Sequence, residues 1–130
     1  KTNNLIISFD KEYDDPFYIS GDEILLYWAV ENIIKNAIDS IKNKKGKILL
    51  RITKNNEFYC LDISNNGKGI LRKHRNSIFK PGFSTKERGW GLGLNLSKRI
   101  INTIHKGNIS LHKSNQSQTT FRIKLRSSIT

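Results

Sequence analysis

Phe79-Lys80-Pro81-Gly82-Phe83-Ser84-Thr85-Lys86-Glu87-Arg88-Gly89-Trp90-Gly91-Leu92-Gly93-Leu94-Asn95-Leu96-Ser97-Lys98-Arg99-Ile100-Ile101 is the stretch whose reading decides this fold. Gly89, Gly91 and Gly93 alternate with Trp90, Leu92 and Leu94, and a helical pattern follows at once. Leu94, Ile100, Ile101 and Ile104 predict a helix over about Gly91 to Thr103, ended by His105-Lys106-Gly107-Asn108. Glycine lets a backbone come within hydrogen-bonding reach of a ligand with no Cβ in the way. A helix starting just behind adds unpaired N–H groups and partial positive charge, a setting for an anion. The anion that suits it is a chain of phosphates. Just ahead, Ser84, Thr85, Lys86 and Arg88 supply hydroxyls and two cations for a flap over that chain. The same glycines also make an ordinary turn before an amphipathic helix, and spacing alone does not separate the two.

Upstream, Ile48 to Thr53 and Phe58 to Ser64 read as strands joined by Lys54-Asn55-Asn56-Glu57. Asn65-Asn66-Gly67-Lys68-Gly69-Ile70 follows the second strand, and a short amphipathic stretch, Leu71 to Phe79, leads to the flap. The Asn-Gly pair fits a common turn, and equally a turn that sets the side chain of Asn65 on a flat ligand. Further back, Leu26, Val30, Ile33, Ala37 and Ile41 mark the buried stripe of a helix from about Asp22 to Lys42, with Ser20 or Asp22 as its cap. Asn32 and Asn36 stand one turn apart at the edge of that stripe, with Asp39 continuing the row. Their amides either solvate the helix edge or offer hard oxygen ligands of the sort Mg²⁺ takes. Leu5 to Phe9 and Phe17 to Ile19 are short strand-like runs, and Ile109 to Lys113 and Thr119 to Arg126 are the last two strands.

A length of 130 residues fits one domain, residues 1–130, large enough to bury a core without staples. The single cysteine, Cys60, permits no internal disulfide and suits a reducing compartment. No apolar run approaches the roughly 20 residues of a membrane span, and no signal-peptide core is present. We expect a cytoplasmic domain cut from a longer protein, which itself could be anchored in a membrane. The net charge of +12 fits an anionic partner. Its densest part, Lys68, Arg72, Lys73, Arg75, Lys80, Lys86 and Arg88, surrounds the glycines. No nucleic-acid reading motif accompanies the charge, so no nucleic acid is expected.

Four elements now stand in order: Glu31-Asn32 to Asn36-Ala37, Asn65 to Gly69, Phe79 to Lys86, and Gly89 to Leu94. This order resembles the N box, first glycine box, F box and second glycine box of the ATP-binding catalytic domain of sensor histidine kinases. That family is grouped with gyrase, the heat-shock chaperone ATPases and the mismatch-repair ATPases. The resemblance runs from about Leu5 to Leu125. It implies an α+β fold: a two-layer sandwich, with a mixed sheet of about five strands covered on one face by about three helices, and a short ATP lid. ATP and Mg²⁺ are the implied cofactors. Asn36 would hold the metal, and Asn32 would sit beside metal and phosphates, with Lys86 and Arg88 approaching from the lid. Gly67, Gly69 and Ile70 would shape the adenine end, and Thr119 would reach the base through water. Gly89, Gly91 and Gly93, with Leu92 and Leu94, would wrap the phosphates.

The resemblance further implies transfer of the γ-phosphoryl to a histidine on a separate dimerisation domain of the same polypeptide, with a response regulator downstream. His74, His105 and His112 read as surface or turn residues, so this chain alone should bind ATP and autophosphorylate little. Two positions depart from the pattern. Asn65 stands where the family has the aspartate that accepts from the adenine amine. Its oxygen would still accept, without charge, and binding would be weaker or less adenine-selective. Asp39 stands where a basic residue is common, leaving Lys35, Lys86 or Arg88 to meet the phosphates. The alternatives are a degenerate nucleotide-binding scaffold, or a related ATPase or protein-serine kinase.

Overall fold

The computed structural model describes residues 5–11, 18–41, 45–55, 57–83 and 93–128. Strands β1 (Leu5–Lys11), β2 (Gly46–Lys54), β3 (Phe58–Asn65), β4 (Asn108–Ser114) and β5 (Thr119–Arg126) form one sheet in the order β1-β2-β3-β5-β4. Only β1 and β2 are parallel; every other pair is antiparallel, so the sheet is mixed. Helix α1 (Glu23–Ser40) lies between β1 and β2 in sequence, and α2 (Gly93–Lys98) precedes β4.

Alternation along the strands decides which face is covered. On β3, Tyr59, Leu61, Ile63 and Asn65 share one side; Ile48, Leu50 and Ile52 on β2 and Thr119, Phe121, Ile123 and Leu125 on β5 stand beside them. That side meets Ala29, Ile33 and Ala37 of α1 and Ile100 and Ile101 from the second helical run in a single core. The opposite side carries Asp62 and Arg122, joined by a two-pronged ion pair of 2.8 and 2.9 Å. The hydrogen bond from the Asp62 carboxylate raises the Arg122 guanidinium above its ordinary pKa.

Helix α1 begins where its sequence says it should. Asp22 has an extended backbone, and its carboxylate accepts the Leu25 N–H at 3.0 Å. Val30 and Leu26 are half-buried, whereas Ala29, outside the predicted stripe, is fully buried. The small Ala29 lets the second helix approach, and the buried Ser97 hydroxyl donates to the Ala29 carbonyl at 2.8 Å. From Gly93 the second helix runs four residues past Lys98 without a break in direction of chain, but over Arg99–Ile104 it adopts π-type bonding. Thus the His105 N–H meets the Ile100 carbonyl five residues back, at 3.0 Å.

The sequence predicts about three helices; the described residues form two. The amphipathic stretch Leu71 to Phe79 winds only a 3-10 turn, Arg72–His74, followed by tight turns. A segment this short does not repay the cost of nucleating an α-helix, and its bonds span three residues, as in His74 N–H to Leu71 O at 2.8 Å. Tyr18 and Ile19 are not in a strand either; Tyr18 contributes a single carbonyl, which accepts from Ser128 N–H at 2.7 Å. Phe17 lies outside the described residues. Among those residues no helix is long and apolar enough to cross a membrane.

The end of the second helix is tied back to the start of the first. The Asp22 N–H donates to His105 Nε2 at 2.9 Å, which places the ring proton on Nδ1, 2.8 Å from the Ile100 carbonyl. Lys106 then turns the chain with a φ of 58°, and Gly107 N–H caps the Ile101 carbonyl at 2.8 Å.

Candidate nucleotide site

The site is built around one side of α1. Asn32, Asn36 and Ser40 are four residues apart, so they form a row along the helix. At the N-terminal end of the row, Asn32 faces the start of α2: a Cβ on Gly93 would lie 3.8 Å from Asn32 Cβ and 3.9 Å from its Cγ. At the other end, the Ser40 hydroxyl lies 3.2 Å from Asn65 Oδ1, at the close of β3. Asn36 sits midway, half-buried. One helix face therefore joins the second glycine segment to the first.

Asn65 ends β3 because it still pairs on both sides, with Ile48 of β2 and Thr119 of β5. It is only 6% exposed, and its Oδ1 accepts the Gly67 N–H at 2.8 Å. The chain then threads a narrow gap. A Cβ on Gly67 would lie 2.6 Å from the Ser40 carbonyl oxygen, and one on Gly69 2.6 Å from that of Asn115. Glycine is required at both places by close approach to main chain. Lys68 N–H bonds the same Ser40 carbonyl at 3.0 Å. Asn66 clamps the loop to the start of β2: its Oδ1 accepts the Lys47 N–H at 2.9 Å and its Nδ2 donates to the Lys45 carbonyl at 3.0 Å.

Ile70 is held by a residue that sequence reasoning missed. Ser114 Oγ accepts the Ile70 N–H at 2.9 Å and lies 2.9 Å from Thr119 Oγ1. Arg75 also reaches Ser114, donating to its carbonyl at 2.6 Å, so this member of the basic cluster is structural. Thr119 is buried, and its hydroxyl supports the glycine turn through Ser114. Ser40 was equally hidden. It lies 25 residues from Asn65, and only the predicted row of Asn32 and Asn36, extended by one turn past Asp39, pointed toward it.

The F-box residues pack beside α2. Phe79 meets Phe121 edge to face at 6.2 Å, carries Lys98 Nζ 5.4 Å above its ring, and gives its carbonyl to Asn95 Nδ2 at 3.1 Å. Phe83 stacks edge-on with His74 at 5.4 Å. Leu94 packs against the core. Lys86, Arg88, Gly89, Gly91 and Leu92 lie outside the described residues. The row on α1 thus brings together Asn32, Asn36, Gly93, Asn65, Gly67, Gly69, Ile70 and Thr119, the last three through Ser114 and the strand pairing.

Among the described residues no group of three or more His, Cys, Asp or Glu side chains can hold a metal. A cation here would depend on amide oxygen, phosphate and water, a donor set that fits Mg²⁺. An apolar hollow of about 180 Å³, walled by Leu26, Val30, Tyr59, Leu61 and Leu125, lies at the opposite end of β3 and β5 and belongs to the core.

The whole arrangement has clear relatives. Residues 21–129 match the family described as histidine kinase-, DNA gyrase B-, and HSP90-like ATPase. Sporulation kinase B of Bacillus subtilis (strain 168) is 32% identical over 133 residues, covering 96% of this chain and 31% of that kinase. The chain therefore spans about a third of the length of that relative. The nucleotide-free catalytic domain of histidine kinase ThkA superposes with a TM-score of 0.83 at 25% identity, over 95% of this chain and 79% of that one. ThkA in complex with the response regulator TrrA matches in fold, with a TM-score of 0.80 at 22% identity, over 96% of this chain and 35% of that one. The chain belongs to the histidine kinase-, DNA gyrase B-, and HSP90-like ATPase family, and within it is homologous to the catalytic domains of sensor histidine kinases.

Proposed function

We propose that this chain binds a nucleoside triphosphate with Mg²⁺ along the Asn32–Asn36–Ser40 side of α1, and delivers the γ-phosphoryl to a histidine on a separate dimerisation domain of the same polypeptide. One observation carries the reading. A single helix face runs from Gly93 of the second glycine segment to Asn65 of the first, with Asn36 between them. In this reading the base lies toward Asn65, Gly67, Gly69 and Ile70, and the phosphates lie toward Asn32 and the glycines before α2.

The Asn36 amide oxygen is the protein's ligand to the metal, and Asn32 orients the phosphates beside it. Bound Mg²⁺ supplies charge neutralisation across the phosphates. Lys86 and Arg88 approach from the lid, and the bare main chain of Gly89 and Gly91 donates N–H groups. A ring nitrogen of the acceptor histidine forms the new bond to phosphorus as the bond to the β-phosphate oxygen breaks and ADP leaves. Alignment and charge stabilisation are what such a transfer needs from the protein. The acceptor is not His105, whose two ring nitrogens are engaged by Asp22 and Ile100. By analogy with the ThkA–TrrA pair, a response regulator takes the phosphoryl next. We place the domain on the cytoplasmic side, whatever anchors the full protein.

The test is a calorimetric titration of the chain with Mg²⁺–nucleoside triphosphates, beside Asn36→Ala. We expect saturable binding that Asn36→Ala weakens at least about tenfold, in keeping with the loss of a charge-linked contact. Absence of binding to any Mg²⁺–nucleoside triphosphate refutes the reading. Adding the dimerisation domain and following acid-labile phosphohistidine then tests the transfer.

A further inference from the structure

We infer that Asn65 makes this site favour a purine carrying oxygen at position 6 over one carrying an amine there, an inference that rests on the nucleotide reading above. The argument starts from which way the Asn65 amide points. Its Oδ1 lies 2.8 Å from the Gly67 main-chain N–H, a group that can only donate. The oxygen, and not the nitrogen, must therefore face Gly67, so the orientation of the amide is set by chemistry. The Ser40 hydroxyl lies 3.2 Å from the same oxygen, its hydrogen shared with the Ala37 carbonyl at 2.7 Å. The oxygen of Asn65 is thus committed to the protein, and it does not wait for an adenine amine as the sequence alone suggested.

What remains is Nδ2, which carries two hydrogens and has no acceptor among the described residues. Every enclosed side-chain nitrogen or oxygen among those residues has a partner, so Nδ2 faces an opening and not the sealed interior. Yet the residue is 6% exposed and pinned at the end of β3 between Ile48 and Thr119. A fixed group that can only donate selects an acceptor. Adenine presents a donor, its 6-amine, whereas hypoxanthine and guanine present the O6 acceptor. Facing two donors leaves both without a bond in a largely dry place, which is costly. With aspartate here, the Gly67 N–H would hold one carboxylate oxygen and turn the second toward the base, reversing the polarity of the contact. Asn66 cannot substitute, since both ends of its amide are tied to Lys47 and Lys45.

The test compares the Mg²⁺ complexes of ATP, ITP and purine riboside triphosphate, which has no group at position 6, by calorimetric titration of the chain and of Asn65→Asp. ITP isolates position 6 because it lacks the 2-amino group of GTP. We expect the unaltered chain to bind ITP about tenfold more tightly than ATP, with purine riboside triphosphate between them, and Asn65→Asp to invert the order. ATP binding as tightly as ITP to the unaltered chain overturns the inference while leaving nucleotide binding intact. An unchanged ATP-to-ITP ratio in folded Asn65→Asp also overturns it. Failure of all three nucleotides to bind overturns the underlying reading, and the inference with it. If Asn65→Asp does not fold, the three nucleotides on the unaltered chain decide alone.

Discussion

Replacing Gly67 by alanine isolates the tightest point of the site. The added Cβ would stand 2.6 Å from the Ser40 carbonyl oxygen and 2.7 Å from its carbon, both main-chain atoms that no rotamer change can move. Either the last turn of α1 or the glycine turn must shift. Two bonds are then at risk: Gly67 N–H to Asn65 Oδ1 at 2.8 Å and Lys68 N–H to Ser40 O at 3.0 Å. Overpacking costs about 1–3 kcal/mol and each lost bond about 1 kcal/mol. Restricting the unfolded chain returns about 0.4–1 kcal/mol. The net is roughly 2–3 kcal/mol, which for a domain of this size lowers Tm by about 10 °C. Gly82→Ala is the comparison, because nothing lies within 4 Å of its added Cβ and only the φ of 83° opposes it. That change should cost about 1 kcal/mol. Thermal and urea unfolding followed by circular dichroism read both. A Gly67→Ala protein melting within a degree or two of the parent, or a Gly82→Ala protein melting below it, would refute the close-approach argument.

His105 should populate the tautomer with its proton on Nδ1, since Nε2 accepts the Asp22 N–H; long-range nitrogen–proton NMR correlations read this directly, and an Nε2-protonated ring contradicts it. Replacing His105 by phenylalanine removes that acceptor and should cost about 1 kcal/mol, an exposed N–H being met in part by water. Lys106 occupies a left-handed conformation at φ 58°, so Lys106→Gly should raise stability by about 0.5–1 kcal/mol; a fall in Tm would count against it.

Most of the sheet was legible because its signal is local. The alternation in Thr119 to Arg126 marks β5 to the residue, and Phe58 to Ser64 falls one residue short only because Asn65 pairs across the chain with Ile48 and Thr119. The cap at Asp22 was one of two candidates, and the structure selects it. The predicted end at Lys42 overshoots, as α1 stops at Ser40, where the carbonyl is recruited by Lys68. What sequence could not reveal were contacts between distant segments. Ser40 with Asn65, and Ser114 with Ile70 and Thr119, are ordinary serines until the fold closes around them. The amide orientation of Asn65 was hidden for the same reason: it depends on a main-chain N–H whose position exists only in the folded loop.

The π-type segment at Arg99–Ile104 has a bearing on how this region tolerates change in length. Such a segment holds one residue more than the same rise of α-helix would use. Losing a residue there would let the backbone relax into regular winding with every bond intact. The same loss would swing all that follows by about 100°, carrying the imidazole away from Asp22 and Ile101 out of the core. The surplus residue thus acts as a phase setting: the helix does not need it, but the seam between its far end and the opening of α1 does.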